Sequence, residues 1–192
     1  MNWNSTFESV SRALEQVVAS DGKGNLLDID AAFALLVNWI SACRENRRRV
    51  YFVGNGASAS MASHFSTDLA KMGNVPTEVF TDCALLTATG NDMGYDQSFA
   101  YPLGQRMVEG EVLVAISSSG NSPNAVEAIK LAKKLSGRSV TFTAMSPDNA
   151  MRALGDLNFH IPAETYGGAE SGHAVLLHHL IDLFGHGAPS GG

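Results

Sequence analysis

The sequence predicts an α/β fold in which a parallel sheet carries helices on both faces. Short apolar runs alternate along the chain with longer segments of helical periodicity, a pattern typical of strand–helix–strand units. The clearest strand, Val112–Ile116, ends at a hydroxyl-rich turn, and Pro123 follows where the first turn of a helix tolerates proline. A second buried strand, Val50–Val53, ends at a glycine-rich turn that also leads into a helical segment. Both units predict right-handed crossovers between parallel strands.

The composition is that of an ordinary globular protein and restricts the class of function. The chain has 192 residues, of which 45% are hydrophobic and 17% charged, and its formal net charge is −6. This acidic balance disfavours a nucleic-acid partner, and the run Arg47–Arg49 is interpreted as complementing the end of a helix. No apolar run reaches the roughly 20 residues that cross a bilayer, and we expect no signal peptide. Because Cys43 and Cys83 lie outside any ligand cluster, we expect a cytoplasmic protein without a membrane partner.

Two helices are predicted before the first strand. Apolar residues at helical spacing predict one helix over Ser5–Ala19, and a second begins from a cap at Asp28 or Asp30. The turn Asp21–Asn25 separates them. The sheet does not require these helices, so we expect residues 1–48 to pack against the domain and to take part in oligomerisation.

The α/β core is predicted over residues 49–184, within one domain that comprises 1–192. Beside the two strands already described, three further strands are predicted at Thr77–Phe80, Ser139–Ala144 and Leu157–Ile161. Helices are predicted at Ala59–Lys71, Cys83–Ala88, Asn124–Leu135 and Asn149–Leu154, and from Tyr166 to near Phe184. Residues 185–192 are rich in Gly, Pro and Ser, and we expect a flexible tail.

Three loops are expected at the carboxyl ends of the strands, where ligands bind in such sheets: Gly54–Ser58, Gly90–Gly94 and Ser117–Ser122. The last of these places four serines at a helix start, where free backbone N–H groups and the helix dipole favour an anion. The alternative is a polar turn in which Ser122 acts only as N-cap. Gly54 and Gly56 permit close approach of a ligand to the backbone. Because the turns Gly54–Ser58 and Ser117–Ser122 both join a strand to a helix and both contain glycine and serine, a phosphate site is favoured.

Residues suited to a metal ion lie on two predicted helices. His64 and Asp68 are four residues apart and share one helix face, whereas Glu170 and His178 share a broad face of the C-terminal helix. Two imidazoles and two carboxylates from two helices suit a catalytic zinc site with an exchangeable position. The alternatives are a surface pair for His64 and Asp68, packing for His178, and a carboxylate that complements the helix dipole for Glu170.

These motifs resemble those of the phosphoheptose isomerases, a family of the sugar-isomerase (SIS) domain superfamily. The resemblance runs in order from about Ser5 to Phe184 and rests on Gly54–Ser58 with His64–Phe65 and Asp68–Leu69, on Gly90–Tyr95 and on Ala115–Ser122. It implies a flavodoxin-like, three-layer αβα sandwich with a mainly parallel five-stranded sheet. It also implies a homotetramer with zinc at active sites between subunits. The implied reaction converts sedoheptulose 7-phosphate to D-glycero-D-manno-heptose 7-phosphate through an enediol(ate).

The resemblance assigns roles by position. Asp68 is the implied base, with Glu170 as an alternative, and His178 is the implied acid. The implied metal ligands are His64, Asp68, Glu170 and His178. The implied substrate-binding residues are Asn55, Gly56, Ala57, Ser58, Asn91, Asp92, Ser117, Ser118, Ser119 and Ser122, of which Ser117, Ser118, Ser119 and Ser122 hold the phosphate.

Four positions depart from the family pattern. Asp68 stands where the family has glutamate, Glu170 where it often has glutamine, Met72 where many members have a phosphate-binding arginine, and Gly167 where they have an aspartate. The shorter carboxylate reaches about 1.5 Å less far, and a misplacement of about 1 Å can cost about 10²-fold in rate. Glu170 adds a negative charge beside the metal. These departures bear on the substrate more than on the metal site.

Two other classes of function remain as alternatives to an enzyme. Some relatives of these isomerases are non-catalytic scaffolds, one of which binds the bacterial replication initiator. A sugar-phosphate-sensing protein would keep the serine turn but would need neither His64 nor His178. Because acid–base groups persist at Asp68 and His178, the sequence favours an enzyme.

Overall fold

The computed structural model describes residues 2–185, and within that range it contains seven strands in one sheet and eight helices. The strands are β1 (Val18–Asp21), β2 (Leu26–Leu27), β3 (Val50–Gly54), β4 (Thr77–Val79), β5 (Val112–Ser117), β6 (Arg138–Ala144) and β7 (Leu157–Ile161). The helices are α1 (Trp3–Glu15), α2 (Ile29–Glu45), α3 (Ala57–Gly73), α4 (Cys83–Met93), α5 (Gln97–Gly104), α6 (Pro123–Lys134), α7 (Ala150–Leu154) and α8 (Tyr166–Gly185). The predicted tail, 185–192, lies outside the described residues except for Gly185, which ends α8.

The sheet is mainly parallel, as predicted, but it is wider than predicted. Its strand order is β2-β1-β7-β6-β5-β3-β4, and the strands from β3 to β7 all run in the same direction. The prediction of five strands is wrong, because the hairpin β1–β2 adds two antiparallel strands beyond β7. The five predicted strands are the parallel part of this sheet.

The hairpin replaces the end of the helix that was predicted over Ser5–Ala19. Helix α1 ends at Glu15, and β1 then pairs with β7, whose backbone groups would otherwise be exposed at an edge. Helical spacing did not reveal this, because β-branched residues in the same segment also suit a strand. The predicted turn Asp21–Asn25 closes the hairpin, and hydrogen bonds from Asn25 lower the pKa of the Asp21 carboxyl group.

Helices cover both faces of the sheet, so the predicted three-layer arrangement is confirmed. On one face, side chains of the strands pack against α2, α3 and α8. There the ring of Phe159 lies 5.0 Å from that of Phe142 and 4.6 Å from that of Phe33 on α2. On the other face, Tyr51 and Leu113 pack against α5 and α6. The apolar clusters on the two faces hold the sheet in place and thereby position the ends of its strands.

The segment after β4 is more helical than predicted. The helix predicted over Cys83–Ala88 continues through Gly90, so the predicted loop Gly90–Gly94 is instead the last turn of α4 and its cap. Asp82 caps the start of this helix, and an interior glycine costs only about 1 kcal/mol relative to alanine. The helix ends at Met93, Gly94 with a φ of +95° caps it, and α5 follows as an element that was not predicted. Of the helices in the described range, none combines the length and apolarity needed to cross a bilayer.

Parallel pairing places the glycine-rich turn after β3 and the serine-rich turn after β5 at the same edge of the sheet. Gly54, the last residue of β3, pairs with Ile116 near the end of β5. The chain therefore leaves both strands side by side, and α3 and α6 begin next to each other. Helix α8 packs beside α3 on one face and begins after β7 at the same edge.

Candidate active site

A pocket of about 150 Å³ opens at this edge, between the turns after β3 and β5 and the start of α8. Its lining residues are Asn55, Ser58, Ile116, Ser117, Ser118, Ser119, Ser122, Tyr166 and Glu170. Six of the residues predicted to bind substrate therefore share one pocket. Tyr166 was read from the sequence only as the start of a helix, although its spacing of four residues from Glu170 places both on one helix face. We call this the serine pocket.

The serine hydroxyls of this pocket face one another. Ser117 Oγ lies 3.1 Å from Ser122 Oγ and 3.5 Å from Ser119 Oγ. Ser122 does occupy the N-cap position of α6, but within this fully described helix its hydroxyl makes no capping hydrogen bond. The hydroxyl is therefore directed towards its neighbours, and the interpretation of Ser122 as a simple cap is not supported.

Gly120 gives the serine turn its shape. Its φ is +64°, a conformation that glycine adopts without strain, and a Cβ at this position would overlap the Asn149 side chain. Its N–H donates to Ser117 Oγ at 3.2 Å. Asn121 Oδ1 accepts a hydrogen bond from the backbone N–H of Ala150 at 2.9 Å, which ties the turn to α7. These contacts hold the serine turn against the start of α7.

Glu170 supplies the carboxyl group of the pocket, whose other polar side chains carry hydroxyls and an amide. The pocket lining drawn from residues 2–185 includes neither Lys nor Arg. An anion bound here would be held by serine hydroxyls and by backbone N–H groups at the starts of α3 and α6. The Glu170 carboxylate would oppose that anion electrostatically.

His64, Asp68 and His178 form a cluster in which one ligand atom from each residue lies within 4.8 Å of the others. His64 Nε2 is 3.2 Å from Asp68 Oδ2, and the His64 and His178 ring centroids are 5.7 Å apart. The His178 ring stands edge-on to Phe65, with 4.8 Å between centroids, so packing of α8 on α3 orients it. More than half of the His64 side chain is exposed, so the cluster remains accessible.

The donor set of this cluster fits a catalytic zinc ion. Two imidazoles and one carboxylate are ligands that zinc accepts, and three protein ligands leave a position for water or substrate. The fourth predicted ligand, Glu170, is not a member of the cluster found among the described residues and instead lines the serine pocket. It lies eight residues before His178, which is about 12 Å along the axis of α8.

A hydrogen-bond network joins the serine pocket to α4, α5 and α6. Asn55 and Asn124 exchange two side-chain hydrogen bonds, of 2.9 and 3.0 Å. The Tyr95 hydroxyl donates to Asn55 Oδ1 at 2.9 Å. Asn124 was not predicted as a site residue, because its partner is 69 residues away in the sequence and no local pattern links the two.

The remaining predicted substrate-binding residues lie beside the pocket. Asn91 and Asp92 are exposed on the last turn of α4, where Asn91 Nδ2 donates to Asp92 Oδ1 at 2.8 Å. Within residues 2–185 the pocket lining includes neither of them. Gly56, with φ +55°, and Ala57 form the exposed start of α3 between two lining residues. The contact of Asn91 and Asp92 with a sugar therefore stays a prediction.

The histidines that were not predicted as ligands have other surroundings. His173 is fully buried in α8, and burial lowers the pKa of its imidazole to about 4. Burial also lowers the pKa of His160 on β7 to about 4, and its Nδ1 lies 3.3 Å from Thr143 Oγ1. His179 packs edge-on against Phe33, with ring centroids 4.7 Å apart. None of these three belongs to the cluster found among the described residues.

Comparison with known proteins shows that this chain is similar to SIS-domain proteins and to phosphoheptose isomerases. A sequence model of the SIS domain family matches residues 7–144. The phosphoheptose isomerase of Helicobacter pylori (strain HPAG1) is 33% identical over 144 residues, which cover 72% of this chain and 74% of that protein.

Two solved structures are similar over nearly the whole chain. A phosphoheptose isomerase from Francisella tularensis has a TM-score of 0.82 and 26% identity, and the match covers 97% of this chain and 100% of that one. A phosphoheptose isomerase from Neisseria gonorrhoeae has a TM-score of 0.81 and 26% identity, with coverage of 94% and 96%. The overall fold of this chain is therefore shared with those structures.

Proposed function

Because this chain belongs to the phosphoheptose isomerase family of SIS-domain proteins, we propose that it is an aldose–ketose isomerase acting on a sugar phosphate. The proposed reaction converts sedoheptulose 7-phosphate to D-glycero-D-manno-heptose 7-phosphate. One observation carries the proposal: His64, Asp68 and His178 converge on two adjacent helices whose N-terminal ends flank the serine pocket. Acid–base groups and an anion site then belong to one continuous surface.

The serine pocket is the proposed phosphate site. Hydroxyls of Ser117, Ser119 and Ser122 lie close together at the start of α6, where the helix dipole favours negative charge. Ser58 adds a hydroxyl from the first turn of α3. Glu170 is the proposed acceptor for a sugar hydroxyl beside the phosphate, since a carboxylate in direct contact with the phosphate would be repelled.

The spacing between pocket and cluster supports a long sugar. Ser58 and His64 are six residues apart on α3, which is about 9 Å along the helix axis. In an extended seven-carbon ketose 7-phosphate, the carbonyl carbon and the phosphate are separated by a comparable distance. A shorter phosphosugar anchored at the serines would leave its carbonyl carbon short of His64, whose imidazole contacts Asp68 Oδ2.

The proposed chemistry is proton transfer between C1 and C2. Asp68 Oδ2 lies against His64, which leaves the other carboxylate oxygen to accept the proton from C1. His178 donates a proton to the carbonyl oxygen on C2, which gives an enediol. Asp68 then returns its proton to C2, and the O1 proton passes to His178, which yields the aldose and restores both groups. A zinc ion held by His64, Asp68 and His178, the last through the ring nitrogen that does not carry the proton, would stabilise the oxyanion that develops. The fourth ligand expected from the sequence, Glu170, lies too far along α8 to join this set.

Three further features belong to the proposal. The residues 1–192 would form one domain, and the active unit would be a homotetramer in the cytoplasm. Support for self-association comes from Trp3 and Phe7 on α1, whose side chains are largely exposed although they are apolar. The alternative functions, a non-catalytic scaffold or a sugar-phosphate sensor, would not require the convergence of His64, Asp68 and His178.

The test is exchange of the substrate's carbon-bound protons with solvent. Zinc-loaded protein is incubated in D₂O with sedoheptulose 7-phosphate, and the C1 proton signal is followed by NMR. We expect enzyme-dependent loss of that signal and appearance of the aldose, with slower exchange for six- and five-carbon ketose phosphates. Absence of exchange with every ketose phosphate tested would reject the isomerase and favour the scaffold or the sensor.

A further inference from the structure

The side chain of Asn124 is fully buried at the start of α6, and all of its hydrogen-bonding groups have partners. Its Nδ2 donates to Asn55 Oδ1 at 3.0 Å and to Ser98 Oγ at 3.1 Å. Its Oδ1 accepts from Asn55 Nδ2 at 2.9 Å and from the backbone N–H of Ala125 at 3.0 Å. An amide with two donors and two acceptor positions can make four such bonds, so Asn124 has no capacity left for a ligand.

The bond from Ala125 fixes the orientation of both amides. A backbone N–H only donates, so the Asn124 atom that it contacts must be the oxygen. The other atom is then Nδ2, and it must face an acceptor, which is Asn55 Oδ1. Asn55 Nδ2 consequently faces Asn124 Oδ1. The reversed orientation of either amide would bring two donors or two acceptors together.

Asn55 is left with one available group. Its Oδ1 already accepts from Asn124 and from the Tyr95 hydroxyl, and one hydrogen of its Nδ2 is donated to Asn124. The second hydrogen of Nδ2 has no acceptor among residues 2–185, and Asn55 lines the serine pocket. Towards a ligand, this amide can therefore act only as a donor.

We propose that Asn124 is a positioning residue that holds Asn55 so that one side-chain N–H is presented to an oxygen atom of the bound sugar phosphate. The inference rests on the proposed function, since it assigns a role within that same site. Asn124 itself does not touch the substrate. It prevents rotation of the Asn55 amide, which would otherwise present a carbonyl oxygen to an anionic group.

The test is a double-mutant cycle that measures kcat/KM for sedoheptulose 7-phosphate with Asn55→Ala, Asn124→Ala and the double variant. We expect Asn124→Ala alone to lower kcat/KM about ten-fold, because Asn55 loses its orientation. In the Asn55→Ala background, the same change should alter kcat/KM by less than about two-fold, since the group that it positions is absent. Equal losses in both backgrounds, or no loss from Asn124→Ala, would overturn the inference.

A second variant and a control separate positioning from folding. Asn124→Asp keeps the shape and the acceptor of Ala125 N–H but cannot donate to Asn55 Oδ1, so it should lower kcat/KM as Asn124→Ala does. Asn158→Asp is the matched control, because Asn158 is also fully buried and bonded, to Thr141 and Gly155, but it does not line the pocket. We expect it to change thermal stability and to leave kcat/KM within about two-fold.

The proposed function and this inference can fail separately. If wild-type protein shows no isomerisation, the proposed function is rejected, and the same cycle is measured as the Kd of sedoheptulose 7-phosphate by calorimetry. Non-additive losses of affinity at Asn55 and Asn124 would still support the positioning role. If wild-type protein isomerises the sugar but the two losses are additive, only the positioning role is rejected.

Discussion

His64 Nε2 lies 3.2 Å from Asp68 Oδ2 across one turn of α3, and the imidazole of His178 faces this pair from α8. A histidine and a carboxylate at this spacing are common on helix surfaces and contribute little to stability there. The imidazole of His178 gives the pair a further capacity. Packing of α8 against α3 places it beside the pair, and the three side chains together form a donor set that can hold a metal ion.

The first prediction concerns that ion. We expect zinc-loaded protein to contain about one zinc ion per chain, as a three-residue site with an open position does. His64→Ala should weaken zinc affinity by more than the roughly 10–100-fold that loss of an outer hydrogen-bond partner costs. His179→Ala, on α8 but outside the cluster, is the matched control and should keep the affinity. Metal analysis that finds no zinc in loaded wild-type protein would contradict the site.

The second prediction tests Asp68 as the base. Asp68→Asn keeps the size of the side chain but removes its ability to accept a proton, so kcat should fall by about 10²–10⁴-fold. Thr67→Ala changes the neighbouring residue, whose hydroxyl bonds only to the Ser63 carbonyl in the described structure, and should leave kcat nearly unchanged. The measurement is kcat of both variants and of the wild type by steady-state kinetics at saturating zinc. An Asp68→Asn enzyme with near wild-type kcat would show that the base lies elsewhere.

The third prediction concerns Glu170, whose carboxyl group lines the serine pocket. Glu170→Gln removes a negative charge near the proposed phosphate while keeping the shape of the side chain. We expect KM to fall several-fold, on the order of 1 kcal/mol of removed repulsion, with kcat within about three-fold of wild type. The measurement is a comparison of kcat and KM for both proteins over a range of salt concentrations. If kcat instead collapses, Glu170 is the base and Asp68 serves only as a metal ligand.

The parts of the site that sequence predicted are those set by local chemistry. The serine turn is a contiguous segment between an apolar strand and Pro123, and residues four apart on a helix share a face whatever the rest of the chain does. The parallel strands were recognisable because their apolar runs are buried on both faces. These rules identified the two turns that supply six residues of the serine pocket and the helix spacing of the metal-ligating side chains, of which three form the cluster. The substrate-binding roles of individual residues came from the family resemblance.

The parts that sequence could not predict depend on contacts between distant segments. Strand β1 exists as a strand because it covers the edge of β7, more than 130 residues later. Asn124 and Tyr95 matter because the fold brings them to Asn55, across 69 and 40 residues of sequence. Local propensity carries no information on such pairs. The position of Asn91 and Asp92 at the end of a helix has a local cause instead, since the Asp82 cap starts α4 and Gly90 costs too little to end it.

The last prediction concerns stability and pH through the buried His173. Burial lowers the pKa of this imidazole to about 4, against a value of 6.5 in the unfolded chain. Below pH 6.5 the imidazole is protonated in the unfolded chain but stays neutral in the folded protein until the pH approaches 4. The free energy of unfolding therefore falls by about 3 kcal/mol between pH 6.5 and pH 4 because of this group. His173→Leu, compared with His179→Leu on the same helix, should remove that part of the fall in the free energy of unfolding. Urea titrations at pH 7 and pH 4.5 measure it, and equal losses of stability in both variants would show that the titrating group is another residue.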